Sequence, residues 1–252
     1  MYSNYHTHTQ FCDGADSPEE LVLEAIRMGC PEIGFSGHSF LPGESWCMSK
    51  EGTVQYCNEI HRLQKKYKNQ ICVRLGIEQD LRSEIDQSCY EYIIGGVHYV
   101  PKNVQFFSVD ESRDSFINAV RDVWNGDFYA FAEDYYSQVE LLWEETHCTI
   151  AAHFDLVTKY NEGNCLFHTD HPRYLAASDA ALNRLISSPC LLEINTGAIS
   201  RGYRQTAYPE QRIRDRWLAA GNELILSSDC HEKKKLLFRF EEYEEIPHRE
   251  IL

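Results

Sequence analysis

Seven short apolar runs punctuate the chain, and amphipathic stretches separate them. The runs fall near residues 2–5, 32–36, 71–77, 92–97, 149–153, 191–195 and 223–227. Several are rich in β-branched residues, such as ICVRLGI and YIIGGV, which predicts strands. The stretches between them carry helix ends. Ser17-Pro18-Glu19-Glu20 predicts an N-cap, a proline at the first helical position and a capping-box glutamate; Gly29 fits the position after the helix. Val54, Cys57, Ile60, Leu63 and Tyr67 form one predicted core face. Phe116, Val120 and Trp124 form a second, Phe131, Tyr135, Val139 and Trp143 a third, and Ile213 and Trp217 a fourth. Strands alternating with helices imply parallel strands joined by right-handed crossovers. Two architectures satisfy this: an open doubly wound sheet or a closed barrel.

The polar residues at the ends of the runs narrow the choice. His6 and His8 follow the first run. In an extended segment, positions i and i+2 share a side, so both imidazoles aim into one space. His38 follows EIGFSG, Glu78 follows VRLGI, His98 follows IIGGV and His153 follows TIAA; Asp229 and His231 follow LILSS. Six of the seven runs thus end at a metal-competent side chain, and the seventh, LLEIN, leads into a loop holding Arg201. Parallel α/β folds gather function at the C-terminal ends of their strands. Residues so distributed meet on a ring or at a switch-point crevice, and their number favours a ring, because an open sheet spreads its outer strands too far from one point. A closed or nearly closed barrel is the predicted architecture.

Each residue alone has an ordinary reading: His98 as a hydrogen-bonded core histidine, Glu78 as an ion-pair partner, Asp13-Gly14 as a turn. Together those readings would leave many buried polar groups unpaired at one end of one barrel, costing about 1–3 kcal/mol each. Metal coordination removes the conflict. His61, His147, His168, His171 and His248 fall outside the pattern and read as surface or structural residues.

A length of 252 residues fits one α/β-barrel domain spanning 1–252, and a 43% hydrophobic content suffices for a sizeable core. No apolar run reaches about 18 residues, and the start lacks a basic-then-apolar pattern. Neither a membrane span nor a secretory signal is expected, and the cytoplasm is the expected compartment. The ten cysteines form no C-x-x-C pair and read as reduced, mostly buried thiols. A formal charge of −15 disfavours nucleic acid as a partner, since phosphate backbones are bound by Lys and Arg. A small phosphate ester needs only local positive charge, which metal ions supply.

The motifs His6-x-His8, Asp13-Gly14, Gly37-His38-Ser39, Gly76-Ile77-Glu78, Gly95-Gly96-Val97-His98, Ala152-His153-Phe154-Asp155 and Ser228-Asp229-Cys230-His231 occur in that order. The ordered set resembles the successive motifs of the PHP superfamily, the polymerase and histidinol phosphatase domain. HSFLPGESWCMS, AHFDLVTKYN and EINTGAISRGYRQTAYP further resemble the histidinol-phosphate phosphatases within it. The resemblance implies a distorted seven-stranded (β/α)7 TIM-like barrel with a three-metal cluster on its C-terminal face. It implies a first metal on His6, His8, Glu78 and Asp229, and a second on Glu78, His98 and His153, with Glu78 bridging. A third would take Asp13, His38 and His231. Some superfamily members carry histidine or glutamate in place of Asp13.

The implied reaction is hydrolysis of L-histidinol phosphate to L-histidinol and phosphate, a step of histidine biosynthesis. A metal-bridged hydroxide is the expected nucleophile, and Glu78, Asp229 and His231 are the expected catalytic residues. Imidazole and carboxylate ligands suit zinc, iron or manganese. Arg201 stands where the family places a phosphate-binding arginine; Lys159 is a second candidate, and Arg204 is less favoured. The sequence does not single out the general acid for the leaving alkoxide; Asp155 and a metal-bound water are equal candidates. The segment Tyr99–Ser112 and the residues around Trp46 are long enough to close over the site, or are plain surface loops. Two alternatives remain: a phosphoesterase for another ester (nucleotide, phosphotyrosine or DNA 3′ end), and a metal-binding module without turnover. The acidic charge counts against DNA, and the complete ligand set counts against the module.

Overall fold

The computed structural model describes residues 1–249, so the last three residues of the expected 1–252 domain lie outside them. Six of the expected runs form one parallel sheet. Its strands are β1 (Glu32–Phe35), β2 (Cys72–Asp80), β3 (Tyr92–Gly96), β6 (Ile150–Ala151), β7 (Leu191–Asn195) and β8 (Leu224–Ser227), in that spatial order. Between β3 and β6, an antiparallel hairpin of β4 (Tyr99–Lys102) and β5 (Gln105–Ser108) replaces part of the expected loop over 99–112.

The run at 2–5 does not form a seventh ladder. It makes one parallel bridge from Asn4 to Ile33 of β1, and a second from Thr7 to Cys230 just past β8. Gly34 N donates to Asn4 O at 2.8 Å, and His8 N to Cys230 O at 2.8 Å. The segment changes partner within three residues, so neither edge strand pairs with it long enough to build a strand. The fold is a curled six-stranded sheet with an N-terminal segment touching both of its edges.

Helices cover the outer face: α1 (Pro18–Met28), α2 (Lys50–Tyr67), α3 (Arg113–Val123), α4 (Phe128–Val139), α5 (Leu142–Thr146), α6 (Pro172–Ile186), α7 (Gly197–Ser200) and α8 (Gln211–Ala219). The expected capping box closes α1: Ser17 Oγ accepts from Glu20 N, and Glu20 accepts in return from Ser17 N. Gly29 ends the helix at φ 75°. The predicted stripe of α2 holds at Ile60, Leu63 and Tyr67, with Cys57 half-buried, and differs at its start. Tyr56, Ile60, Leu63 and Tyr67 are buried, whereas Val54 is 61% exposed. The stripes of α3, α4 and α8 are buried as expected, but Trp143 falls beyond the end of α4, on α5, and is only half-buried. All ten cysteines are free; five of them are buried rather than most. No helix among the described residues is long and apolar enough to cross a membrane.

Strand alternation divides the side chains between two cores. Leu75 and Ile77, Ile93, Leu192 and Ile194, and Leu224 and Leu226 point outward into the helix layer. Tyr92, Ile94, Ile150, Leu191 and Ile225 point inward and pack with Tyr5 into a small second core inside the curl. The same parity points Glu78, Asp80, Glu193 and Asn195 inward, at the carboxyl ends of their strands.

Candidate metal centre

The strand ends bring six histidines into one cluster. Ring centroids lie 5.1 Å apart for His6–His8, 4.2 Å for His8–His38, 4.2 Å for His8–His231, 5.5 Å for His38–His98, 5.1 Å for His98–His153 and 6.0 Å for His6–His153. Glu78 lies at the middle, 1% exposed. Its Oε1 is 3.4 Å from His98 Nε2 and 3.1 Å from His153 Nε2. Its Oε2 is 3.2 Å from His6 Nε2, 3.4 Å from His8 Nε2 and 2.9 Å from His38 Nδ1. Asp229 Oδ1 is 3.2 Å from His8 Nε2 and 3.6 Å from His6 Nε2. Asp13 reaches His231 Nε2 at 3.2 Å and His38 Nε2 at 3.7 Å. Donors bound about 2.0–2.2 Å from one ion lie roughly 3–3.6 Å from each other. The contacts have the length of coordination edges.

Three groups of side chains each offer one atom within 4.8 Å of the others: His6, His8 and Asp229; His38, Glu78 and His98; and His8, Asp13, His38 and His231. They overlap the expected sets but differ at four residues: Glu78 is not in the first group, His38 joins and His153 leaves the second, and His8 joins the third. His38 stands between two groups because its two ring nitrogens face opposite ways, Nδ1 toward Glu78 and Nε2 toward Asp13. His153 stands outside these groups, its Nε2 turned to Glu78 Oε1 and its ring beside those of His98 and His6.

The buried atoms His6 Nε2, His8 Nε2 and Glu78 Oε2 crowd one another at 3.2 and 3.4 Å but make no well-aligned hydrogen bond among the described residues. Such groups are expensive to bury unless something else binds them. Their common target is the middle of the cluster, and imidazole nitrogens beside carboxylates are the donor set of divalent transition metals. The residues therefore fit the metal ions that the sequence implies. Electrostatics agree. Burial pushes the His8 pKa down to about 3, helped by His231 and His38, so this ring is a neutral donor at pH 7. Burial disfavours charge on Glu78, but His38 and His6 outweigh it and hold the carboxyl well below its ordinary range. Burial opposes the charge on Asp229 too; Arg201 and His6 overcome it.

Two carboxylates fix the imidazoles from behind. Glu193 Oε1 is 2.6 Å from His6 Nδ1, and its Oε2 accepts from His153 N at 2.9 Å. Asp80 Oδ2 is 2.9 Å from His98 Nδ1. A carboxylate on one ring nitrogen keeps the proton there and leaves the other nitrogen free to face a metal. Two residues of the cluster also have unusual backbones: His153 has φ 21° and Asp229 φ 47°, a region non-glycine residues rarely enter.

A cavity of about 690 Å³ opens over the cluster. Arg201 and Lys159 both line it, as do Trp46, Tyr99, Phe106 and Tyr203. Arg201 Nη2 donates to Asp229 Oδ2 at 2.9 Å, and Nη1 lies 2.9 Å from His231 Nδ1. Lys159 Nζ donates to Asp110 O at 2.9 Å and Oδ2 at 3.2 Å. Asp155 does not face this cavity, which corrects its candidacy as general acid. It is fully buried behind the wall, where its Oδ2 accepts from Glu210 N and lies 3.6 Å from Arg204 Nη1. Arg204 is likewise turned away, toward Thr158 Oγ1.

The profile of the PHP domain family matches residues 4–246. The chain belongs to the PHP domain family. A Schizosaccharomyces pombe relative, described as "Probable histidinol-phosphatase", is 28% identical over 255 residues, covering 90% of this chain and 79% of its own. The crystal structure of the "putative histidinol phosphatase hisK" from Listeria monocytogenes superposes with a TM-score of 0.86 at 19% identity, covering 96% of this chain and 99% of that one. Histidinol phosphate phosphatase from Lactococcus lactis, solved with Zn, L-histidinol and phosphate, gives 0.58 at 20% identity, over 92% of this chain and 87% of its own. These structural likenesses establish a shared fold.

Sequence reasoning missed Glu193 and Asp80 in this PHP chain. LLEIN reads as the one run without a chemical residue at its end, yet its glutamate lies inside the run, two positions before the end. A charged residue between leucine and isoleucine in a buried strand was the available signal. For Asp80 the signal was its spacing from Glu78, which places both on one side of the strand.

Proposed function

We propose that the chain is a metal-dependent phosphatase that hydrolyses L-histidinol phosphate to L-histidinol and phosphate in histidine biosynthesis. The single observation that carries this reading is Glu78. It directs Oε1 to His98 and His153 and Oε2 to His6, His8 and His38, on the floor of a cavity that also presents Arg201 and Lys159. Three divalent ions (zinc, iron or manganese) would take His6, His8, Asp229 and Glu78; Glu78, His98 and His153; and Asp13, His38 and His231. The names and the bound ligands of the relatives support the substrate. The bridges from Asn4 and Thr7 support a finer architecture, in which the N-terminal segment closes the six strands into a seven-stranded barrel and the whole chain is one domain.

Divalent ions held there supply charge neutralisation on the phosphate and a water of lowered pKa. The chain's own residues do the rest. Glu78 and Asp229, held ionised, balance the positive charge and fix the spacing of the donors. Arg201 offers a planar fork toward a phosphate oxygen, braced by Asp229 and His231. Lys159 adds a point charge on the same wall. Electrostatic positioning of this kind is the main resource of phosphoryl transfer.

A panel of phosphate monoesters assayed with metal-loaded protein tests the reading. Histidinol phosphate should show the highest kcat/KM. Stronger hydrolysis of a nucleotide or an aryl phosphate would give the site to another ester, and full metal occupancy with no turnover of any ester would make it a binding module.

A further inference from the structure

The cavity carries six carboxylates: Asp13, Glu44, Glu78, Asp110, Glu111 and Asp229. Four are engaged by cations or imidazoles: Asp13 by His231, Glu78 by its histidines, Asp110 by Lys159 and Asp229 by Arg201. Glu111 accepts from the Ser115 hydroxyl on the exposed rim. Glu44 differs. Its Oε2 accepts from the Trp46 indole Nε1 at 3.1 Å, and that nitrogen also lies 3.3 Å from the Tyr99 hydroxyl. No Lys, Arg or His nitrogen among the described residues pairs with it within 4.0 Å. Arg82, nearby in the fold, stacks on Tyr99 and Phe106 at 4.5 and 3.9 Å instead. Glu44 is an oriented carboxylate without a counter-ion.

Its place matters. Trp46 meets the His38 ring edge-on at 4.5 Å and lies 5.6 Å from His98. Arg201 adjoins Asp229 and His231 instead. The cavity is therefore polarised across the metal-competent cluster, with a guanidinium beside one part and a carboxylate on an indole beside another. Such a cavity matches a dipolar guest, anionic at the phosphate and cationic at its tail.

We infer that Glu44, seated on Trp46, is a specificity-determining residue that binds a cationic group in the tail of the phosphate ester, an ammonium or an imidazolium. The inference rests on the phosphatase reading above and deepens it. A carboxylate pairs a cation through a charge-assisted hydrogen bond, and an adjoining indole attracts the same cation through its ring. An uncharged tail gains neither.

The test compares kcat/KM for propyl phosphate, 2-aminopropyl phosphate and 3-(imidazol-4-yl)propyl phosphate, in the metal-loaded protein and in Glu44→Gln. The ratio of one cationic ester to propyl phosphate should fall about 10- to 100-fold in the variant; the ester whose ratio falls names the cation. Unchanged ratios for both would overturn the inference. Glu44→Asp keeps the charge and should retain more of the ratio than Glu44→Gln; equal losses would contradict a charge role. If the wild-type protein cleaves none of the three, the phosphatase reading falls. Calorimetry with L-histidinol then decides Glu44 alone: about tenfold weaker binding in Glu44→Gln supports it, and equal affinity overturns it.

Discussion

At the scale of single residues, Glu78 and Glu193 have separable roles. Glu78 touches both halves of the cluster, so Glu78→Ala removes a ligand from two places at once. Turnover should drop by about 1000-fold or more, with loss of bound metal visible by elemental analysis. Glu193 touches the His6 imidazole from behind and accepts from the backbone N–H of His153. Glu193→Gln should lower metal affinity by about 10- to 100-fold and let excess metal restore much of the activity. Equal and unrescued losses in both variants would contradict this division. Most candidate ligands were legible because they follow an apolar run; Asp13, in a turn, was legible only through the ordered set of motifs. The bracing carboxylates were less so, because a glutamate inside LLEIN reads as an interruption until strand parity shows which side it takes. His38 was assigned to one metal set, and a sequence does not say that a ring will point its two nitrogens in two directions.

At the scale of elements, β3 shows how closely the strands fit the site. It ends in Gly95-Gly96, and a Cβ on Gly96 would lie 2.7 Å from His98 Cε1, 3.0 Å from Glu78 Oε1 and 3.4 Å from His153 Cε1. Gly96→Ala therefore has to move candidate ligands held on or just after β2, β3 and β6. A shift of this order can cost about 100-fold in rate. The expected outcome is such a loss in kcat with the far-UV CD spectrum preserved; wild-type kcat would show that the ligands have slack. The helix ends were readable because capping chemistry is local: Ser17, Glu20 and Gly29 act within a turn of each other. The α2 stripe differs only at its first residue, since Val54 fits the helical spacing but faces solvent and Tyr56 takes the buried place. The hairpin β4–β5 was read as a loop, because VPKNVQFF alternates weakly and its partner strand is its own continuation.

At the scale of the whole molecule, the ring of ligands couples stability to metal and to pH. Burial opposes charge on His6, His38 and His98, but carboxylates overcome it: chiefly Glu193 for His6, Glu78 for His38 and Asp80 for His98. All three pKa values lie above the ordinary histidine value. A raised histidine contributes stability fully below about pH 6.5, and loses it as pH climbs through the folded value. Metal-free protein should thus melt at a higher temperature at pH 6 than at pH 9. Metal requires deprotonated ligands, so the gain in melting temperature on adding metal should grow from pH 6 to pH 9. A gain that shrinks with rising pH would contradict the assignment. The parallel α/β class was legible from alternation along the whole chain. The count of strands was not, because the first run divides its bridges between two edges. The most direct measurement is anomalous diffraction from crystals of metal-loaded protein. The account predicts two ions astride Glu78, about 3.5–4 Å apart, and a third among Asp13, His38 and His231. Anomalous peaks lying away from Glu78, or none within this cluster at full metal loading, would contradict it.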